Sequence, residues 1–218
     1  MTLADEDGPD PRGRLVVATR SPHKLRELRE LLTVQAELVS LDDLGVEGDP
    51  AETGRTFETN ARIKACFAAR ATGLPALADD SGIEVDALGG GPGVRTRRYA
   101  GEHATDDNNN RTLLAALEGL PAERRAARYV CVLALALPEG AGPRAALAVI
   151  VRRGTTRGRI ALEPRGSGGF GYDPIFEPSS EPPGGRTLGL WTAAEKHAIS
   201  HRARAARRMA PVLRELGF

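Results

Sequence analysis

Two adjacent carboxylates, Asp79 and Asp80, stand in the segment Pro75-Ala-Leu-Ala-Asp79-Asp80-Ser81-Gly82. Two negative charges held side by side repel unless a cation or a protonation equilibrium offsets the cost. Mg²⁺ is the usual cation for such a pair. Ala76-Leu77-Ala78 is a short apolar run and Ser81-Gly82 is a turn signal, so the pair is expected at the end of a buried strand. Ligand sites of α/β proteins collect at strand ends. Taken alone, the pair reads equally as one Asp capping a turn beside a solvated neighbour.

Four other groupings carry usable chemistry. In Ala18-Thr19-Arg20-Ser21-Pro22-His23-Lys24 an apolar run enters a polar loop and then a helix. The helix-start N–H groups, the Thr and Ser hydroxyls and the Lys24 ammonium could converge on phosphate oxygens. The Gly and Gly-Lys-Ser/Thr ending of a Walker loop are absent. Asn60 and Lys64 lie four apart in a helical pattern and share a face, with Glu52 ahead of them as a further carboxylate. Gly168-Gly-Phe170-Gly171-Tyr172-Asp173-Pro174 combines glycines that permit close backbone approach with Phe170 and Tyr172 as planar faces for a base. Asp173 adds an acceptor ahead of a rigid proline. The chain holds only five Phe, three Tyr and one Trp, so two aromatics here stand out. Last, Lys196, His201 and Arg202 supply donors suited to a carbonyl-bearing heterocycle or a phosphate.

These groups need a scaffold of alternating strands and helices. Leu15 to Thr19 reads as a first buried strand, followed by a helix from about Lys24 with Leu25, Leu28, Leu31 and Leu32 on one stripe. Glu37 to Ser40 is a weak strand, and Phe57 to Ala71 a helix ended by Gly73 and Pro75. Gly89 to Gly93 is a loop, and Thr105 to Leu117 a helix with Asp106 and Asp107 at its positive end. Tyr129 to Leu137 and Arg144 to Arg152 read as an antiparallel hairpin around Pro138 to Pro143. A Gly-rich loop spans 165–171, and helix runs from about Thr192, punctuated near Ser200. Hairpins late in a βα alternation imply a mixed α/β sheet.

Composition sets the remaining bounds. The 218 residues suffice for one domain, drawn at residues 14–218 behind a disordered tail of 1–13. A net charge of +1, 41% apolar and 27% charged residues are ordinary for a soluble protein and argue against nucleic acid as a partner. The basic run from Arg202 to Arg208 reads as a solvated helix face. Cys66 and Cys131 read as reduced core residues, and no Cys/His cluster has zinc spacing. No signal peptide or membrane-length apolar run is visible, so the expected compartment is the cytoplasm, without a membrane partner.

Together the segments resemble the inosine triphosphate pyrophosphatase family (XTP/dITP diphosphatases). Its motifs are matched in order by Ala18 to Lys24, Glu58 to Ala65, Asp79 to Gly82, Gly169 to Pro174, and Glu195-Lys196 with Ser200-His201-Arg202. Ser21 stands where the family has Asn, and His23 where Gly is common. Thr59 separates Glu58 from Asn60, and Arg95-Thr-Arg97 replaces a Tyr-Ser-Ala-like stretch.

The resemblance implies an elongated mixed sheet with flanking helices and two lobes around a nucleotide cleft. It implies hydrolysis of ITP, dITP or XTP to the monophosphate and pyrophosphate, in a homodimer, with Gly89 to Arg98 a candidate for part of the interface. By carry-over, Asp80 is the general base, Asp80 and Glu52 bind Mg²⁺, and Thr19, Arg20, Ser21, Pro22, His23 and Lys24 hold the triphosphate with Lys64 and Ser81 nearby. Phe170, Gly171, Tyr172, Asp173, Lys196, His201 and Arg202 hold the base and sugar. The alternatives are a pyrophosphatase for modified pyrimidine triphosphates and a non-catalytic nucleotide-binding protein. Intact Asp80, Glu52 and Lys24 argue against the latter.

Overall fold

The structure, a computed structural model, describes residues 13–140 and 146–218. Residues 1–12 of the expected N-terminal tail and residues 141–145 at the tip of the late hairpin therefore lie outside the described residues. A six-stranded mixed sheet has the order β2-β1-β3-β4-β5-β6, formed by Arg14–Val17 (β1), Glu37–Ser40 (β2), Ala76–Val85 (β3), Ala126–Glu139 (β4), Ala146–Ile160 (β5) and Phe176–Pro178 (β6). β1 is parallel to β2 and β3, and every later pairing is antiparallel.

Helices α1 (Pro22–Leu31), α2 (Phe57–Thr72), α3 (Asp106–Ala116), α4 (Ala193–Ile199) and α5 (His201–Glu215) start on hydroxyl caps. Ser21, Thr56, Thr105, Thr192 and Ser200 each accept a first-turn N–H. Ser200 ends α4 and caps α5, which explains the break read there. One face of the sheet packs on α2 through small residues, Ala61, Ala65, Ala68, Ala76 and Ala78 among them, and their size lets the helix lie close. The other face packs Leu15, Val17, Leu77 and Leu133 against Leu28 of α1 and Ala205, Met209 and Leu213 of α5. A third cluster joins Ile83, Leu113, Tyr129, Tyr172 and Phe176.

Two expectations need correction. The strand carrying the Asp pair does not end at Ser81-Gly82: it pairs with β4 in unbroken register from Ala76 to Val85. Gly82 serves close approach instead, because a Cβ there would lie 2.8 Å from Thr96 Cβ. β5 also continues to Ile160, well beyond Arg152. There Gly154 lets α5 touch the sheet, since a Cβ would collide with His201 O and Ala205 N.

Candidate active site

β1 pairs with β3 only through Val16 and Val17, opposite Ala76 and Leu77. Asp79 and Asp80 follow just past this short parallel contact, so the polar pair does lie at the C-terminal end of a strand, but that strand is β1. Alternation along β3 sends the two side chains to opposite faces. Asp79 follows Leu77 toward α1 and α5; Asp80 follows Ala78 toward α2. Their mutual repulsion is thereby reduced, and each carboxylate has its own cations. Neither caps a turn nor is solvated, at 1% and 7% exposure.

Asp79 pairs with Lys24 Nζ at 2.5 Å and accepts from Arg202 Nε at 3.1 Å and Cys131 Sγ at 3.4 Å. Burial alone would raise its pKa, but Arg202, Lys24 and Lys64 outweigh burial and hold it far below the usual carboxylate range. Asp80 accepts from Lys64 Nζ at 2.8 Å, and the same ammonium lies 3.2 Å from Glu52 Oε1. For Asp80 burial dominates and its pKa is raised, although Lys64 and Lys24 pull the other way. The dipeptide thus joins a permanently charged anchor to a carboxylate that can take up a proton.

A further hub went unread in the sequence. Glu27 is buried on α1 and pairs with both Arg202 Nη1 and, at 3.2 Å, Lys196 Nζ. Burial raises its pKa, but the two cations outweigh burial and the net shift is downward. The available signal was its position three residues after Lys24, which places both side chains on one helix face. Lys196 also bonds Asp173 Oδ2 at 2.8 Å. Asp173 in turn accepts from Phe170 N at 2.9 Å and Tyr129 OH at 3.3 Å. Lys196 Nζ lies 4.3 Å from the Phe170 ring centre and the Arg202 guanidinium carbon 5.9 Å from it. A continuous chain of contacts therefore links the Asp pair to the Phe170 ring.

Not every expected residue presents its side chain as read. Arg20 is engaged within the protein: it pairs with Asp42 and Asp49 and donates to Val46 O and Gly48 O, fastening the 42–49 loop. Thr19 Oγ1 accepts from Ser21 N, and Ser21 Oγ caps α1 at Lys24 N, leaving its O–H to donate. Pro22 opens the helix at a position that needs no N–H partner. His23 stacks on Phe170. Tyr172 is no stacking platform: it is 4% exposed in the third core cluster, with its hydroxyl donated to Thr96 O. Gly171 is gripped from α3, its N–H by Asp106 and its carbonyl by Asn110.

His201 lies flat on Tyr129, with ring centres 4.7 Å apart, and its buried Nδ1 has no hydrogen-bond partner among the described residues. Burial and the nearby Arg202 and Lys196 hold it neutral. Arg202 is 1% exposed, not part of a solvated face, and each of its three nitrogens already meets Asp79, Glu27 or Ser81. Three of its five N–H donors are thus committed within the protein. Arg204, Arg207 and Arg208 remain exposed, as expected of the rest of that run. Asn60 is also structural: its Oδ1 accepts from Gly54 N and shapes the loop that carries Glu52.

The donor set suits a divalent ion. Asp80 and Glu52 already converge on one positive group, the Lys64 ammonium. No cluster of three or more His, Cys, Asp or Glu residues of metal-binding geometry occurs among the described residues. Two carboxylates fit a hard cation that draws its other ligands from water and a phosphate chain.

The Ham1 family model matches residues 15–212. A dITP/XTP pyrophosphatase from Mycolicibacterium paratuberculosis is 48% identical over 206 residues, 93% of this chain and 96% of the relative. One from Symbiobacterium thermophilum is 50% identical over 193 residues, 88% and 90% of the two chains. A solved HAM1 protein from Coxiella burnetii superposes with a TM-score of 0.81 at 42% identity, covering 93% of this chain and 98% of the other. The Staphylococcus aureus Ham1 protein gives 0.81 at 33% identity, with 93% and 99% covered.

Proposed function

The chain belongs to the Ham1 family, and from that premise we propose that it hydrolyses ITP, dITP and XTP to the nucleoside monophosphate and pyrophosphate. The observation that carries this reading is Asp80: a buried carboxylate of raised pKa, fixed by Lys64 beside Glu52 and backed by the Asp79–Lys24–Arg202 cluster.

In this reading Asp80 takes the proton of the attacking water, whose oxygen bonds to the α-phosphorus as the α–β anhydride bond breaks and pyrophosphate leaves with the bridging oxygen. A raised pKa suits a general base better than an ordinary Asp. Lys24 and Lys64 face the phosphate tail, which carries about four negative charges, and counter the charge that builds up in the transition state. Ser21 O–H and the first-turn amides of α1 add neutral donors. Phe170 is the floor for the base, levelled by Asp173 and Lys196. The orphaned His201 Nδ1 is offered as a polar contact for the nucleoside. Arg202 acts through Asp79, Glu27 and Ser81, holding the two halves of the site together.

Mg²⁺ is the cofactor in this reading, held by Asp80 and Glu52, and it supplies charge neutralisation on the phosphates. The compartment proposed with this reading is the cytoplasm. A homodimer, proposed from the family resemblance, is tested by light scattering at micromolar concentration.

The deciding assay incubates the enzyme with ITP, dITP, XTP, ATP, GTP and dUTP and measures pyrophosphate. Faster release from the first three, abolished by EDTA and restored by Mg²⁺, is expected. Orthophosphate as the sole inorganic product, or a preference for dUTP, overturns the reading.

A further inference from the structure

His23 stands in the first turn of α1, and Phe170 lies in the Gly-rich loop at 165–171. Their rings are stacked, with centroids 5.3 Å apart and planes 18° from parallel. The groups over Phe170 are held very differently. Lys196 is buried and paired with Asp173 and Glu27; Arg202 is buried and paired with Asp79 and Glu27. His23 is exposed and makes no hydrogen bond or ion pair among the described residues. When a ligand arrives at the ring, His23 is the group free to yield.

The spacing sets what happens next. A planar base contacts a ring on each side at about 3.5 Å, so a sandwich needs about 7 Å between the outer rings. The present separation is too small to admit one. Rotation about the His23 side-chain bonds carries the imidazole outward by roughly 2 Å, while the Cα stays fixed in the helix and Asp173 holds the Phe170 backbone.

We infer that His23 is a base-clamping residue: it stacks on Phe170 here and covers the second face of the base when the nucleotide is bound. This assignment rests on the proposed nucleotide reaction and deepens it. A sandwich rewards a wide flat heterocycle, because each face gains stacking area in proportion to its size. It moves His23 from the phosphate tail, where its place in the polar loop put it, to the base.

The test compares wild type, His23→Ala and His23→Phe in steady-state hydrolysis of ITP, with inosine and tripolyphosphate as competitive inhibitors. His23→Ala is expected to raise KM for ITP about fivefold, the lower end of what truncating one stacking platform costs, with kcat within twofold and the melting midpoint unchanged. The inosine inhibition constant rises in parallel, and that of tripolyphosphate does not. His23→Phe restores KM to within about twofold. An unchanged KM in His23→Ala, a selective weakening of tripolyphosphate, or failure of Phe to restore KM each overturns the clamp. Failure of wild type to hydrolyse ITP overturns the reaction itself and is visible before any variant is made.

Discussion

Isosteric neutralisation of the two adjacent aspartates separates structure from chemistry. Asp79→Asn leaves Arg202, which is 1% exposed, with Glu27 as its sole remaining carboxylate, and leaves Lys24 without its partner. Breaking a buried pair costs about 3–5 kcal/mol. Because Glu27 still pairs with Arg202, the lower end, about 3 kcal/mol, is expected. At roughly 2–4 °C per kcal/mol for a chain of this size, the melting midpoint falls by about 6–12 °C. The folded pKa of Asp79 is depressed, so its stabilisation is present above the unfolded value of about 3.9 and lost only as pH falls through the lower folded value. The deficit should therefore persist at pH 5. Asp80 has the opposite sign. Its folded pKa is raised, so its ionisation erodes stability as pH rises from the unfolded to the folded value. Asp80→Asn removes that cost but weakens one contact of Lys64, which keeps Glu52. A midpoint within about 3 °C of wild type is expected at pH 7, with turnover on ITP reduced at least about a hundredfold. Differential scanning fluorimetry and pyrophosphate release read both quantities. A loss of 6 °C or more in Asp80→Asn, or of less than 3 °C in Asp79→Asn, would refute the division of labour.

Three other substitutions follow from the same geometry. Lys64→Met removes the cation that lowers the Asp80 pKa, so the acidic limb of the kcat/KM profile for ITP should move to higher pH; a limb that stays put or moves down excludes Asp80 as the titrating base. Glu27→Gln strips Lys196 and Arg202 of their shared carboxylate and should raise KM for ITP about tenfold, the loss of one charged hydrogen bond; a KM within twofold of wild type removes Glu27 from the site. Gly154→Ala drives a methyl into the α5 backbone at His201 and Ala205, at a cost of about 1–3 kcal/mol, and should lower both the melting midpoint and activity; an unperturbed enzyme would show that α5 can shift freely.

Sheet and helices were legible because their signals are local. Tyr129 to Leu137 is an uninterrupted apolar run, and it became the central part of β4. The helix from about Thr192 read as punctuated near Ser200, and the break is there, with Ser200 ending α4 and capping α5. Misreadings occurred where a residue answers to a distant neighbour. Ser81-Gly82 looks like a turn, but Gly82 is small because Thr96 sits over it. Tyr172 looks like a base platform beside glycines, but its hydroxyl finds Thr96 O and its ring joins the core. Glu27 sits among Arg26, Arg29 and Glu30, and its spacing from Lys24 places it on the Lys24 face without showing that it is buried. Arg20 shows the same problem in reverse, since its acceptors come from a loop without regular pattern. The family was readable from residue types in order; the wiring between them needed coordinates.

That wiring fixes when the enzyme can come into being. Arg202 binds Glu27 across 175 positions of sequence and Asp79 across 123. Synthesis proceeds from the N-terminus at about 5–20 residues per second, so the strand and helix bearing Glu27, Lys24 and Asp79 leave the ribosome well before α5 does. Until then the nascent chain holds two carboxylates, otherwise buried, with no guanidinium to answer them, and the face that α5 covers stays wet. Docking of α5 therefore covers that face of the sheet and completes the site in a single event. A stalled chain ending before Ser200 should bind no ITP, and nucleotide capture by such a chain would show that the site assembles without its last helix.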